Sequence, residues 1–426
     1  MQITLNYGKT GLPLNLPDHW VVTVIRKKPM PVLPDPPLAV RRALESPVAA
    51  RPLGAEARGY RSACIVICDI TRPVPNGLLL PPLTAMLIQS GIPPDRITIL
   101  VATGLHRPNE GKELRELVGD DSVLKTVRVV NHDARCDEDH VALGTTTQGV
   151  PVKIDRRFLE ADLRIVTGLV EPHFMAGYSG GRKVIAPGIA HRDTITRLHN
   201  ARLLEHPCAA NCVLTGNPVH EAQLEIAAMI GRVWAVNVVI DEQRRLSFVN
   251  FGEMIQSHAA AVTYMRGYAE IPVTRQFQTV VTSSAGYPLD KTYYQTIKGM
   301  VGALNILAPG GHLFIASECS EGMGSPEFVA SQKRLVAGTP SQFLTALLTK
   351  PAAAIDEWET EMQIKAMKVG PIHLYAPGLS PADLALTGVE PVTSLAEAIR
   401  CQVAACGDRC VAVIPEGPYV IPMPGT

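Results

Sequence analysis

The chain has 426 residues, 40 Lys+Arg against 40 Asp+Glu, 46% apolar residues and only 19% charged ones. Zero net charge gives no argument for an electrostatic footprint on nucleic acid or on an anionic membrane surface, and the apolar content argues against disorder. The length allows two or three domains with a large core; no apolar run reaches the roughly 18 residues of a membrane span, and the start MQITLNYGKTG lacks the pattern of a signal peptide.

Residues 30–58 are rich in Pro, Ala and Arg and read as a surface segment with one short helix. Strands are predicted over 63–68, 97–102, 163–167, 233–240, 279–282, 313–316, 373–375 and 411–414, several of them unbroken Ile/Val/Leu runs typical of strands buried on both faces. Helical patterns lie between them, at 78–90, 292–307, 341–348 and 357–369. The alternation predicts an α/β protein with two α/β domains, largely parallel sheets and an active-site cleft between them. A composition change near 265–277 sets the expected limits at 1–270 and 275–426, and the tail G-P-Y-V-I-P-M-P-G-T is too Pro-rich for regular structure. Nine cysteines without a C-x-x-C pair point to reduced, mostly buried thiols and a cytoplasmic setting.

Ligands of open α/β sheets bind at the carboxyl ends of the strands, and the unusual residues fall there. The first strand runs into Asp69-Ile70-Thr71-Arg72, stiffened by Pro73 and Pro75. Arg72 offers a planar fork for phosphate or carboxylate; a structural Asp–Arg pair explains the same octet equally well. The second strand runs into T-G-L-H-R, which places His106 just past Gly104. The third runs into Glu171–Lys183, E-P-H-F-M-A-G-Y-S-G-G-R-K, which reads as a flexible loop with exposed N–H groups, suited to an anion. It lacks the G-x-x-x-x-G-K-[ST] pattern of a nucleotide-triphosphate loop. Lys183 beside Arg182 has the setting of a nucleophile with a lowered pKa. His199 follows on a helix expected to start at Asp193 and run through Leu203, with no metal-ligand spacing around it. Gln295 and Lys298 share a helix face, which an ordinary solvated face also explains. Trp358 reads as core or interface, and the other histidines show no pattern.

Four blocks taken together, D-I-T-R-P-V-P, T-G-L-H-R, E-P-H-F-M-A-G-Y-S-G-G-R-K with a following R-L-H-N, and Y-Q-T-I-K-G-M, resemble the nickel-dependent lactate racemase family. They occur in the family's order over about residues 65–300. The resemblance implies a racemase or epimerase of a 2-hydroxy acid that works by reversible hydride transfer through a 2-keto acid. It implies a nickel-pincer nucleotide, Ni(II)-pyridinium-3,5-bisthiocarboxylate mononucleotide, attached covalently at Lys183, with His199 as the protein's nickel ligand and loading by the cofactor's biosynthetic enzymes. Asp69, Ile70, Thr71 and Arg72 would bind the nucleotide. His106 and His173 would alternate as acid and base, and Gln295, Lys298 and Arg72 would bind the substrate. Two rivals stand beside this reading: a non-catalytic cofactor-binding homologue, and a metal-independent enzyme that clamps an anion with Arg72 and Lys183.

Overall fold

Strands that are apolar on both faces need a layer on each side, and this requirement organises both halves of the chain. The computed structural model describes residues 1–425. They divide into two compact units.

One unit comprises Pro29–His199 and His206–Gly267. Its six-stranded sheet runs, edge to edge, Leu246–Glu253, Trp234–Ile240, Leu163–Leu169, Ala63–Cys68, Ile97–Ala102 and Arg128–Asn131. All neighbours are parallel except the first two, which form an antiparallel hairpin. The 97–102 strand thus belongs to this sheet, with Ala63 opposite both Ile97 and Leu163. Ile65 and Ile67 are fully buried, and Leu79, Leu80, Leu83 and Leu87 of the helix Asn76–Gln89 pack into the same core. Each such side chain contributes about 1.5–3 kcal/mol relative to exposure. The 30–58 segment does more than cover the surface: Val40, Leu44 and Leu53, from the helices Pro36–Glu45 and Leu53–Glu56, are buried in this core.

The other unit comprises Met1–Lys28, Asn200–Glu205 and the chain from Tyr268. Its sheet is parallel throughout, in the order Glu390–Pro391, Ile372–Tyr375, Leu307–Ala316, Phe277–Ser283, Cys410–Ile414 and Val21–Val24. The first 28 residues therefore belong with the C-terminal half, because Val21–Val24 extends its sheet beside Cys410–Val413, a pairing no local pattern announces. The proline-rich tail is regular after all. Ile421–Pro424 pairs in parallel with Glu270–Val273, and in a two-stranded ladder a proline can turn its missing N–H away from the partner. All nine cysteines are free; Cys64, Cys212 and Cys319 are buried, while Cys401 and Cys406 are exposed, against the expectation of mostly buried thiols. Among the described residues, no helix is long and apolar enough to cross a membrane.

Candidate active site

In the first-described unit the chain moves from the 63–68 strand outward to 97–102 and 128–131, then returns to place 163–169 on the other side. The order reverses beside the 63–68 strand, so the carboxyl ends of its two neighbours and its own form the topological switch point. Asp69, His106 and His173 follow those three ends.

Asp69 is 5% exposed. Its Oδ2 accepts from His106 Nδ1 at 2.6 Å and its Oδ1 accepts from the Thr71 hydroxyl at 2.6 Å. Burial pushes this carboxyl up, but the bonds from His106 and Thr71 and the charge of Arg72 outweigh it, and the group is held below the usual carboxylate range. The imidazole is 55% exposed and stands on a turn closed by its own N–H to Thr103 O at 2.9 Å. The Thr103 hydroxyl donates to His132 O at 2.7 Å. Three histidines without a sequence pattern meet behind this turn: His132 Nε2 lies 3.0 Å from His140 Nε2, and the His140 and His191 rings are 5.0 Å apart. Arg72 pairs with Glu171 (Nε to Oε1 3.5 Å), which ties the 69–72 turn to the start of the next block.

That block is not a flexible loop. Pro172–His173 and Gly177–Tyr178 form a tight antiparallel hairpin, and Phe174, Met175, Ala176 and Tyr178 are buried. Each carbonyl from 175 to 178 has a donor. Met175 O accepts from Asn217 Nδ2 at 3.0 Å, Ala176 O and Tyr178 O accept from Arg182 Nη2 at 3.0 and 3.1 Å, and Gly177 O accepts from Cys212 N at 3.0 Å. Gly177 has φ +77°, and a Cβ there would lie 2.2 Å from Val213 O. Gly168 and Gly180 allow a second close approach, since a Cβ on Gly168 would lie 2.9 Å from Gly180 Cα. The glycines thus serve dense packing rather than mobility. His173 Nδ1 accepts from the N–H groups of Met175 and Ala176 at 3.3 and 3.2 Å.

Arg182 lies beneath the hairpin, 1% exposed, with Nη1 3.0 Å from His258 Nε2. Burial lowers its pKa to about 9, so it remains charged at neutral pH. Lys183 is half-buried and close enough to act electrostatically on His199. The expected Asp193–Leu203 helix is broken. His191 caps a helix Arg192–Leu198 by accepting from Asp193 N at 3.2 Å, and Asn200 caps a separate turn, Ala201–Leu204. His199 sits at the break, buried, with Nδ1 donating to Ile195 O at 2.8 Å. Burial, with the Lys183 charge, lowers its pKa to about 4 against the opposing effect of the Ile195 carbonyl. A carbonyl can only accept, so the His199 lone pair is on Nε2, the arrangement of a metal-ligating imidazole. Among the described residues, no group of three or more His, Cys, Asp and Glu could hold a metal ion.

In the other unit, Gln295 and Lys298 lie on the helix Tyr293–Gly302, both half-buried. Gln295 Oε1 is buried without a hydrogen-bond partner, whereas the neighbouring Tyr294 hydroxyl accepts from Trp358 Nε1 at 3.2 Å.

Parallel α/β units with titratable side chains at a switch point define an enzyme acting on a small molecule. Comparison with known proteins narrows this. Residues 7–211 match the family model of the lactate racemase N-terminal domain, and residues 274–422 that of the lactate racemase C-terminal domain. The chain is 30% identical over 424 residues to the lactate racemase of Thermoanaerobacterium thermosaccharolyticum, covering 98% of each chain. It is 30% identical to that of Lactiplantibacillus plantarum over 90% of each. The structure of the Thermoanaerobacterium lactate racemase apoprotein matches with a TM-score of 0.91 over 99% of both chains. A Thermotoga maritima protein of 16% identity shares the fold at a TM-score of 0.69, covering 91% of this chain and 98% of its own. The chain belongs to the lactate racemase family, and it is an isomerase of the racemase type.

Proposed function

We propose that this enzyme interconverts the enantiomers of lactate or a related 2-hydroxycarboxylate through a 2-keto acid, with His106 and His173 exchanging the hydroxyl proton. The observation that carries the reading is the Asp69–His106 pair: a buried, ionised carboxylate orients an accessible imidazole through Nδ1 and leaves Nε2 facing away from it. A general base is built this way.

The carbon to be inverted bears a C–H of very low acidity, so removing hydride while a base takes the hydroxyl proton is the easier route to a planar carbon. The family's nickel-pincer nucleotide, when bound, supplies the hydride-accepting chemistry. Residues of this chain fit the group. Lys183 would hold it covalently, His199 Nε2 would ligate nickel, and Asp69, Ile70, Thr71 and Arg72 would line the nucleotide. His199 suits that role because its burial keeps the imidazole neutral and its Nδ1–H is fixed by a carbonyl. Loading would need the enzymes that build it.

The substrate carboxylate falls to Lys298 and Gln295, with Arg72. Holding it fixes the pivot about which the carbon inverts. The Asp69 carboxylate offsets the imidazolium that forms when His106 takes the hydroxyl proton. Antipodal substrates put their hydroxyls on opposite sides, so the reaction calls for a proton-transfer residue on each side.

The test is chiral chromatography of holoprotein, produced with the cofactor-forming enzymes, on single enantiomers of lactate, malate, 2-hydroxybutyrate, phenyllactate and gluconate. Inversion at carbon 2 is expected for at least one compound, and none in Lys183→Ala, whose intact mass should also lack the cofactor adduct. An adduct mass that survives in Lys183→Ala refutes the attachment site.

A further inference from the structure

We propose that His106 and His173 are held in opposite tautomers, so that the resting protein presents one proton acceptor, His106, and one N–H donor, His173. The tautomers follow from the hydrogen bonds alone; the roles rest on the racemase reading above.

A neutral imidazole carries one N–H, and its neighbours decide which nitrogen holds it. His106 Nδ1 faces Asp69 Oδ2 at 2.6 Å, on a carboxylate whose other oxygen accepts from Thr71. An ionised carboxylate only accepts, so the ring proton is on Nδ1 and the lone pair on Nε2. The surroundings of His173 are the reverse. Its Nδ1 faces the backbone N–H groups of Met175 and Ala176 at 3.3 and 3.2 Å. Backbone amides only donate, so Nδ1 accepts and the proton is on Nε2. The Ala176 amide shares its peptide plane with the Met175 carbonyl, which accepts from Asn217, and the chain that follows is held by Arg182 and the Cys212 N–H on the carbonyls of residues 176 to 178, so the turn that presents both amides is fixed from its downstream side. Moving the ring proton to Nδ1 would set it against two other N–H groups and break both bonds.

The consequence is a division of labour. For a substrate whose hydroxyl meets His106, the O–H bond breaks and the proton bonds to Nε2; the imidazolium keeps its Nδ1–H on Asp69, and the total charge is unchanged. His173 has no Nε2 lone pair to offer in this state. It offers an N–H to the substrate oxygen, and the two amides at Nδ1 stabilise the electron density that builds on the ring as that proton is shared. A neutral imidazole polarising a carbonyl oxygen is an established catalytic role. The enantiomer that meets His106 can therefore lose its proton without rearrangement, whereas the opposite one must wait for His173 to release the hairpin amides.

The experiment is a long-range proton–nitrogen correlation spectrum of the apoprotein labelled with nitrogen-15 histidine at neutral pH, assigned with His106→Gln and His173→Gln. The expected result is a protonated Nδ1 with a bare Nε2 for His106 and the inverse for His173, with the Met175 and Ala176 amides shifting in His173→Gln. The same tautomer in both rings, or a protonated Nδ1 on His173, overturns the proposal. Should a variant fail to fold, scalar coupling from those two amides to His173 Nδ1 in the unmodified protein makes the assignment. No cofactor is needed, so failure here is distinct from failure of the chiral assay, which judges the racemase reading itself.

Discussion

The turn that carries His106 and the hairpin that carries His173 orient the same kind of side chain by opposite means. His106 is exposed and depends on one buried side chain, Asp69, two hydrogen bonds deep in polar partners. His173 depends on the backbone of a buried hairpin, which in turn depends on Arg182 just downstream and on Asn217 and Cys212 farther along the chain. The first arrangement can be altered by changing one functional group. The second can be altered only by deforming the fold. Function and stability should therefore separate at Asp69 and coincide in the hairpin.

Asp69→Asn should have the largest effect on that contrast. It keeps the size of the side chain and removes the ionised acceptor, so kcat should fall by about 100- to 10,000-fold, with KM and the thermal midpoint little changed. A variant that retains full kcat would show that the carboxylate does not orient the base. Gly177→Ala comes next and should act through the fold. With φ +77° and a backbone oxygen 2.2 Å from the new Cβ, it should cost about 2–4 kcal/mol in denaturant unfolding. Unchanged stability would mean that the hairpin can relax, and with it the hold on His173.

The last effect appears only in acid. His258 and His220 lie near the buried Arg182, and burial first, then that charge, lowers both to about 3. The unfolded chain would bind protons at these residues from its ordinary value of about 6.5 downward, while the folded chain would not. Stability should thus fall as pH drops from about 6.5 toward 3, and His258→Gln should flatten the slope in urea titrations over that window. An unaltered slope would place the acid lability elsewhere.

The same contrast explains what the sequence made legible. The central strands were visible because residues such as Ile65–Ile67 and Ile99–Val101 are buried on both faces and leave unbroken apolar runs. Arg128–Asn131, at a sheet edge with mixed burial, left no such run. Val21–Val24 gains its meaning only from Cys410–Val413, almost 400 residues away in sequence. At the site, Asp69, His106 and His173 could be picked out because strand ends collect chemistry. The pairing of Asp69 with His106 could not, since the two are 37 positions apart and the D-I-T-R block suggested an Asp–Arg pair instead. The glycines of the 171–183 block suggested mobility because their packing partners, Val213 and His258, lie far downstream. The helix start is obscured because Asp193, a good capping residue, stands two positions after the histidine that does the capping, and the break at His199 comes from Asn200 capping a new turn inside an otherwise helical pattern.

The central claim is that two histidines share the proton transfer of one racemisation. The direct test is to load His106→Ala and His173→Ala with cofactor, confirm the adduct by mass, and follow each enantiomer of the best substrate by chiral chromatography and by release of 2-keto acid. The account predicts that neither variant racemises, while each retains 2-keto acid formation from one enantiomer only, opposite in the two variants. Full racemisation by either variant would contradict it.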